Sequence, residues 1–132
     1  MPTDYTILVV DDSAQYRTII SKYLKNMGLI KIETAEDGNV GIEKANSIKP
    51  HIIYLDGIMP GMDGITALRI IKKECPDSIV IISSSLSEQS KVKQFKDEGA
   101  SYYLLKPYER EKFEEVTKKA LALLEQRQRS TS

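Results

Sequence analysis

Cysteine is nearly absent: the 132 residues hold one, Cys75, so no intramolecular disulfide can form. No apolar run is long enough to span a bilayer, and nothing at the N-terminus reads as a secretory signal. Neither charge is in excess, since 19 Lys and Arg balance 19 Asp and Glu. A chain without net charge sets up no global field toward nucleic acid or anionic lipid, and any such binding would need a local patch. Internal repeats and linkers are missing as well. These absences lead us to expect a soluble, cytoplasmic, single domain over residues 1–132, with no direct nucleic-acid or membrane binding. That length is enough to bury a core. Only "QRQRSTS", from about residue 126, reads as a short flexible tail.

What is present is an alternation. Short apolar runs, "YTILVV" (5–10), "IKIETA" (30–35), "HIIYLD" (51–56), "SIVIIS" (78–83) and "SYYLLK" (101–106), have the length and β-rich composition of strands. Three are apolar almost throughout, as strands covered on both faces are. Between them lie stretches of helical period. Tyr16, Ile19, Ile20, Tyr23, Leu24 and Met27 line one face, stopped by Gly28. Ile42, Ala45 and Ile48 line a second before Pro50, and Ile65, Leu68 and Ile71 a third before Pro76. Val92 and Phe95 give the fourth helix only a narrow stripe before Gly99. Phe113, Val116, Ala120, Leu123 and Leu124 define a fifth helix.

Five βα units in strict alternation predict an α/β fold, a parallel sheet with helices on both faces. Right-handed crossovers place the carboxyl ends of all strands on one edge, where ligands of such folds bind. Strand one ends at Asp11 and Asp12, strand three at Asp56, strand four in the serines 83 to 85, and strand five at Lys106 before Pro107. Three carboxylates, a hydroxyl and an ammonium therefore meet. Adjacent carboxylates in a poorly solvated place resist ionisation unless something positive joins them. Oxygen ligands without His or Cys favour a hard divalent ion, and an open site with several waters suits Mg²⁺ better than Ca²⁺.

Simpler readings compete at single positions. The Asp pair could serve only a helix N-terminus, with Ser13 as a cap. Asp63, before Gly64 and an apolar helical run, reads as an N-cap rather than a nucleophile. Ser83 and Ser85 read as strand-end hydroxyls satisfying backbone, His51 as structural because it starts a strand, and Cys75 as carrying no role.

The motifs "VVDDS", "YLDGIMPGMDG", the serines after "IVII" and "GASYYLLKPY", in that order at the predicted strand ends, resemble the receiver domain of two-component response regulators, especially the single-domain kind related to the chemotaxis regulator. The resemblance spans about residues 5–124. It implies a flavodoxin-like, doubly wound (βα)5 sheet with strand order 2-1-3-4-5. It makes Asp56 the phosphoacceptor for a phosphoryl group from a sensor histidine kinase or a histidine phosphotransfer protein. Mg²⁺ would be bound by Asp12 and Asp56, by Asp11 through water, and by the Ile58 backbone carbonyl. Lys106 and Ser84 would contact phosphoryl oxygens, and the backbone at Gly57 and Ser85 would cradle them. A cis Lys106-Pro107 peptide is implied, as is a switch in which Ser84 and Tyr103 move.

The face formed by the fourth helix, fifth strand and fifth helix would then control a downstream target or output domain, or bind a second copy of the chain. Ile58 and Leu86 hold the positions that govern water's approach to the acyl phosphate. Self-phosphorylation from small phosphodonors and autophosphatase activity follow from the same likeness. A haloacid-dehalogenase-type phosphatase would need an acid where Ile58 stands, and the complete set of Asp11, Asp12, Asp56, Ser84 and Lys106 argues against a degenerate receiver. A phosphorelay intermediate, or the receiver part of a longer regulator with an output domain, remain alternatives.

Overall fold

The computed structural model describes residues 4–85 and 90–131. Five strands, β1 (Thr6–Val10), β2 (Lys31–Ala35), β3 (Ile52–Asp56), β4 (Ile79–Ser84) and β5 (Tyr102–Leu105), alternate with five helices. The helices are α1 (Ala14–Asn26), α2 (Gly38–Ile48), α3 (Gly64–Glu74), α4 (Val92–Asp97) and α5 (Arg110–Thr131). All strand pairings are parallel and the order is β2-β1-β3-β4-β5, as the resemblance implies. Each predicted strand is present to within a residue at either end.

Alternation along the strands divides the core into two layers. Ile7, Val9, Ile52, Tyr54, Ile79 and Ile81 face α1 and α5, packing with Ile20, Leu24, Phe113, Val116 and Ala120. Leu8, Val10, Ile53, Leu55, Val80 and Ile82 face the other way, toward Ala45, Leu68, Ile71 and Phe95. β3 and β4 are buried at every position, which explains their unbroken apolar runs. Ser13 caps α1 by accepting the Tyr16 N–H, and Asp63 caps α3 by accepting that of Thr66 at 2.7 Å. His51 is structural: its Nδ1 accepts the Thr6 N–H at 3.0 Å and its ring meets Tyr5 edge-on. Burial lowers its pKa further below 6.5.

One expectation is extended and one corrected. Ala45 and Ile42 of helix α2 pack into the layer of Leu8 and Val10 as expected, Ile48 is half-buried, and Gly38 and Gly41 also turn inward. A Cβ at Gly41 would lie 2.8 Å from a Val10 methyl, so close approach to β1 shapes this face beside the apolar packing. The stretch from about residue 126, expected to be a flexible tail, continues α5 as helix to Thr131. Glu125 to Arg129 are good or moderate helix formers, and the Arg127 guanidinium donates to the Asp77 carbonyl at 2.8 Å, tying that end to the α3–β4 turn. Among the described residues no helix is long and apolar enough to cross a membrane.

Candidate functional site

The parallel sheet delivers Asp11, Asp56, Ser84 and Lys106 to one edge. The β1 ladder carries one residue past Val10, where the Asp11 N–H donates to the Ala35 carbonyl at 3.0 Å. The Asp11 carbonyl accepts from the Arg17 guanidinium at 2.7 Å, and its Oδ1 accepts the Ser13 N–H at 2.9 Å. Asp11 is thus fixed at both backbone and side chain, 1% exposed, while Asp12 faces solvent. Asp56 ends β3 at 4% exposure, its Oδ1 accepting the Ile58 N–H at 3.1 Å. The Lys106 ammonium, on a side chain 14% exposed, lies 2.8 Å from Asp11 Oδ2 and 3.5 Å from Asp56 Oδ2.

One oxygen from each of Asp11, Asp12 and Asp56 falls within 4.8 Å of the others. Burial, and next the Asp11 charge, push the Asp56 carboxyl up to about 7, with Lys106 and the Ile58 N–H pulling the other way. One ammonium against three carboxylates leaves surplus negative charge. An all-oxygen set, closed on one side by Asp11 and open at Asp12, fits a hard divalent cation that keeps some of its water.

Ser84 and Tyr103 share a face of the sheet. The register pairs Ile82 with Tyr103 and Ser84 with Leu105. Among the described residues the buried Ser84 hydroxyl has no hydrogen-bond partner, and it lies beside Gly57, the residue after Asp56. Tyr103 stands on the α4 side, its ring 6.3 Å from that of Phe95, whereas Tyr102 packs into the layer facing α5. This settles which of the two tyrosines alternation sends toward α4. The Lys106-Pro107 peptide is cis. Ile58 projects at the rim, 51% exposed, and Leu86 lies outside the described residues. Ser85 follows the last residue of β4 at the same edge.

Some features differ from the sequence reading. The Gly57 N–H, expected to cradle a phosphoryl group, donates to the Ser83 carbonyl at 2.9 Å, because the β3–β4 ladder runs one residue beyond Asp56. The amide aimed at the Asp56 carboxylate is that of Ile58. Gly57 matters for its missing side chain: a Cβ there would stand 2.9 Å from Ser84 Oγ and 3.3 Å from the tip of the Phe95 ring. Ser83 does not satisfy backbone with its hydroxyl, which pairs with the Tyr108 hydroxyl. The Tyr108 ring meets Tyr16 edge-on, and Tyr16 lies under the Lys106 ammonium. Tyr16 was legible only as a core aromatic of α1, and Tyr108 only as part of the "KPY" motif.

Known proteins resemble this chain in sequence and fold. The family model for the response regulator receiver domain matches residues 7–118. The chain is 34% identical over 117 residues to the chemotaxis protein CheY of Bacillus subtilis, covering 89% of this chain and 98% of that protein. It is 43% identical over 82 residues to a protein-glutamate methylesterase/protein-glutamine glutaminase of Archaeoglobus fulgidus, covering 62% of this chain and 24% of the relative. The chain therefore spans about a quarter of the length of such methylesterase relatives. Among solved structures, the receiver domain of AraT, a response regulator from Geobacillus stearothermophilus, superposes with a TM-score of 0.87 at 28% identity, covering 94% of this chain and 98% of that one. With the fold, strand order and acidic edge in agreement, the chain belongs to the response regulator receiver domain family of two-component systems.

Proposed function

We propose that Asp56 accepts a phosphoryl group from a phosphohistidine of a sensor histidine kinase or histidine phosphotransfer protein. An Asp56 carboxylate oxygen attacks phosphorus, the P–N bond to the donor imidazole breaks, and the bond's electron pair leaves with the imidazole, which takes up a proton. The product is an aspartyl phosphate. The observation that carries this reading is a buried carboxyl, 4% exposed, at the strand-end edge with the Lys106 ammonium 3.5 Å away.

Asp12, Asp56 and the Ile58 carbonyl would hold Mg²⁺ directly and Asp11 through water. When bound, the ion supplies positive charge against the phosphoryl oxygens. Lys106 meets a second phosphoryl oxygen, Ser84 donates its hydroxyl to a third, and the Ile58 N–H, with that of Ser85, completes the cradle.

The signal is read at α4, β5 and α5. Ser84 and Tyr103 share the face on which the buried Phe95 docks α4, so a Ser84 hydroxyl drawn to a phosphoryl oxygen vacates space that Tyr103 and Phe95 line. Helix α4 has six residues and one buried side chain, Phe95, and is the element most easily re-docked. Its face then binds a downstream target, an output domain or a second copy. Residues 1–132 act as one receiver domain.

Acetyl phosphate with Mg²⁺ tests the reading. Intact mass should gain one phosphoryl group, and lose that gain in Asp56→Asn and with EDTA. Labelling that survives Asp56→Asn contradicts it.

A further inference from the structure

Lys106 has a third neighbour besides its two carboxylates. Its Nζ stands 4.3 Å from the centroid of the Tyr16 ring, within the range of a cation–π contact. The ring is itself held. Tyr16 occupies the first turn of α1, its N–H donating to the capping Ser13 hydroxyl at 3.3 Å. The Tyr108 ring meets it edge-on, with centroids 5.4 Å apart and planes at 79°. Tyr108 is fixed in turn by the Ser83 hydroxyl and by the Phe113 ring at 5.8 Å. A side-chain chain therefore runs from β4 through Ser83, Tyr108 and Tyr16 to the ammonium.

We propose that Tyr16, buttressed by Tyr108 and Ser83, is a positioning residue that holds the Lys106 ammonium beside Asp56. The proposal rests on the reading of Asp56 as phosphoacceptor. A lysine carries its charge on a flexible four-carbon stem and is easily recaptured by the nearest anion or by water. Here the nearest anion is Asp11 at 2.8 Å, not Asp56 at 3.5 Å. A quadrupolar ring face gives the ammonium a fixed third contact and excludes water from that side. The charge then stays where an oxygen of a group transferred to Asp56 would arrive. The ring acts through Lys106.

The test pairs a spectroscopic and a kinetic readout. In the metal-free parent, the Lys106 ε-methylene protons should be shifted upfield by the ring current of Tyr16. Tyr16→Phe should preserve that shift and Tyr16→Leu abolish it. Labelling by acetyl phosphate with Mg²⁺ should slow about 2- to 30-fold in Tyr16→Leu, the range of a cation–π contact, and stay within about 2-fold of the parent in Tyr16→Phe. The ε-proton shift reads the ring over the ammonium directly, and a role in core packing alone would not produce it.

Unshifted ε-protons in the parent overturn the proposal without any variant. A parent labelled at Asp56, with Tyr16→Leu labelled equally fast, overturns the role of Tyr16 and leaves that of Asp56 intact. A parent that takes no phosphoryl group overturns the phosphoacceptor reading and the positioning role together.

Discussion

Replacing Asp56 by Asn should stabilise the metal-free protein at neutral and alkaline pH. The Asp56 carboxyl is 4% exposed and is raised from an ordinary 3.8 to about 7 in the folded state. Between those values the folded protein holds a proton that the unfolded chain has released. Stability is therefore greatest, for this group, below about pH 4, and falls as pH rises to about 7. At about 1.4 kcal/mol per pH unit, the ionised group costs at most about 4 kcal/mol above that window.

Asn has the shape of Asp without the charge and can still accept the Ile58 N–H, but it gives up the contact with Lys106. A net gain of about 2–4 kcal/mol at about pH 8 follows, shrinking toward zero near pH 4. Urea denaturation in EDTA across that range measures it. Mg²⁺ should narrow the gap by stabilising the parent alone, by about 2.7 kcal/mol at a hundred times its dissociation constant. An Asn variant no more stable than the parent at about pH 8, or a gap that widens toward acid, would refute the electrostatic account of the pocket.

Three further outcomes are expected. Gly57→Ala should cost about 1–3 kcal/mol in urea unfolding, because its Cβ would press on Ser84 Oγ at 2.9 Å and on the Phe95 ring at 3.3 Å. Ile58→Asn should shorten the lifetime of the aspartyl phosphate, followed as loss of the phosphoryl mass, by giving an attacking water a polar partner at the pocket rim. Arg69 holds Glu98, the C-cap of α4, through two N–H donors at 3.2 and 3.0 Å, so Arg69→Ala should speed amide exchange in α4 while leaving α1 unchanged.

The sequence reading reached furthest where function depends on the ends of regular elements. Strand period and turn chemistry located Asp11, Asp12, Asp56, the serines 83 to 85 and Lys106 at one edge, because a parallel α/β fold leaves few places for strand ends to go, and the family resemblance singled out Ser84. Ser13 and Asp63 were recognisable as caps since a cap acts within three residues of itself. Contacts that bridge distant segments left no such trace. Nothing local in "SSS" says that the Ser83 hydroxyl crosses to Tyr108, 25 residues on. Gly41 could not be read as a packing residue before Val10 was placed against it. Nor did the Gly57 N–H declare itself as part of the ladder, since that depends on how far β3 and β4 stay paired. The tail was misread for the same reason: its polar composition conceals the Arg127 bond to Asp77 that helps seat it.

Reductive trapping tests the central claim most directly. The protein is treated with acetyl phosphate and Mg²⁺, reduced with borohydride, which converts an acyl phosphate to the alcohol, and sequenced by tandem mass spectrometry. Homoserine at position 56 alone, and none without Mg²⁺, is the predicted result. Homoserine at Asp11, Asp12 or Asp63, or an unmodified Asp56 in protein that has gained the phosphoryl mass, would contradict it.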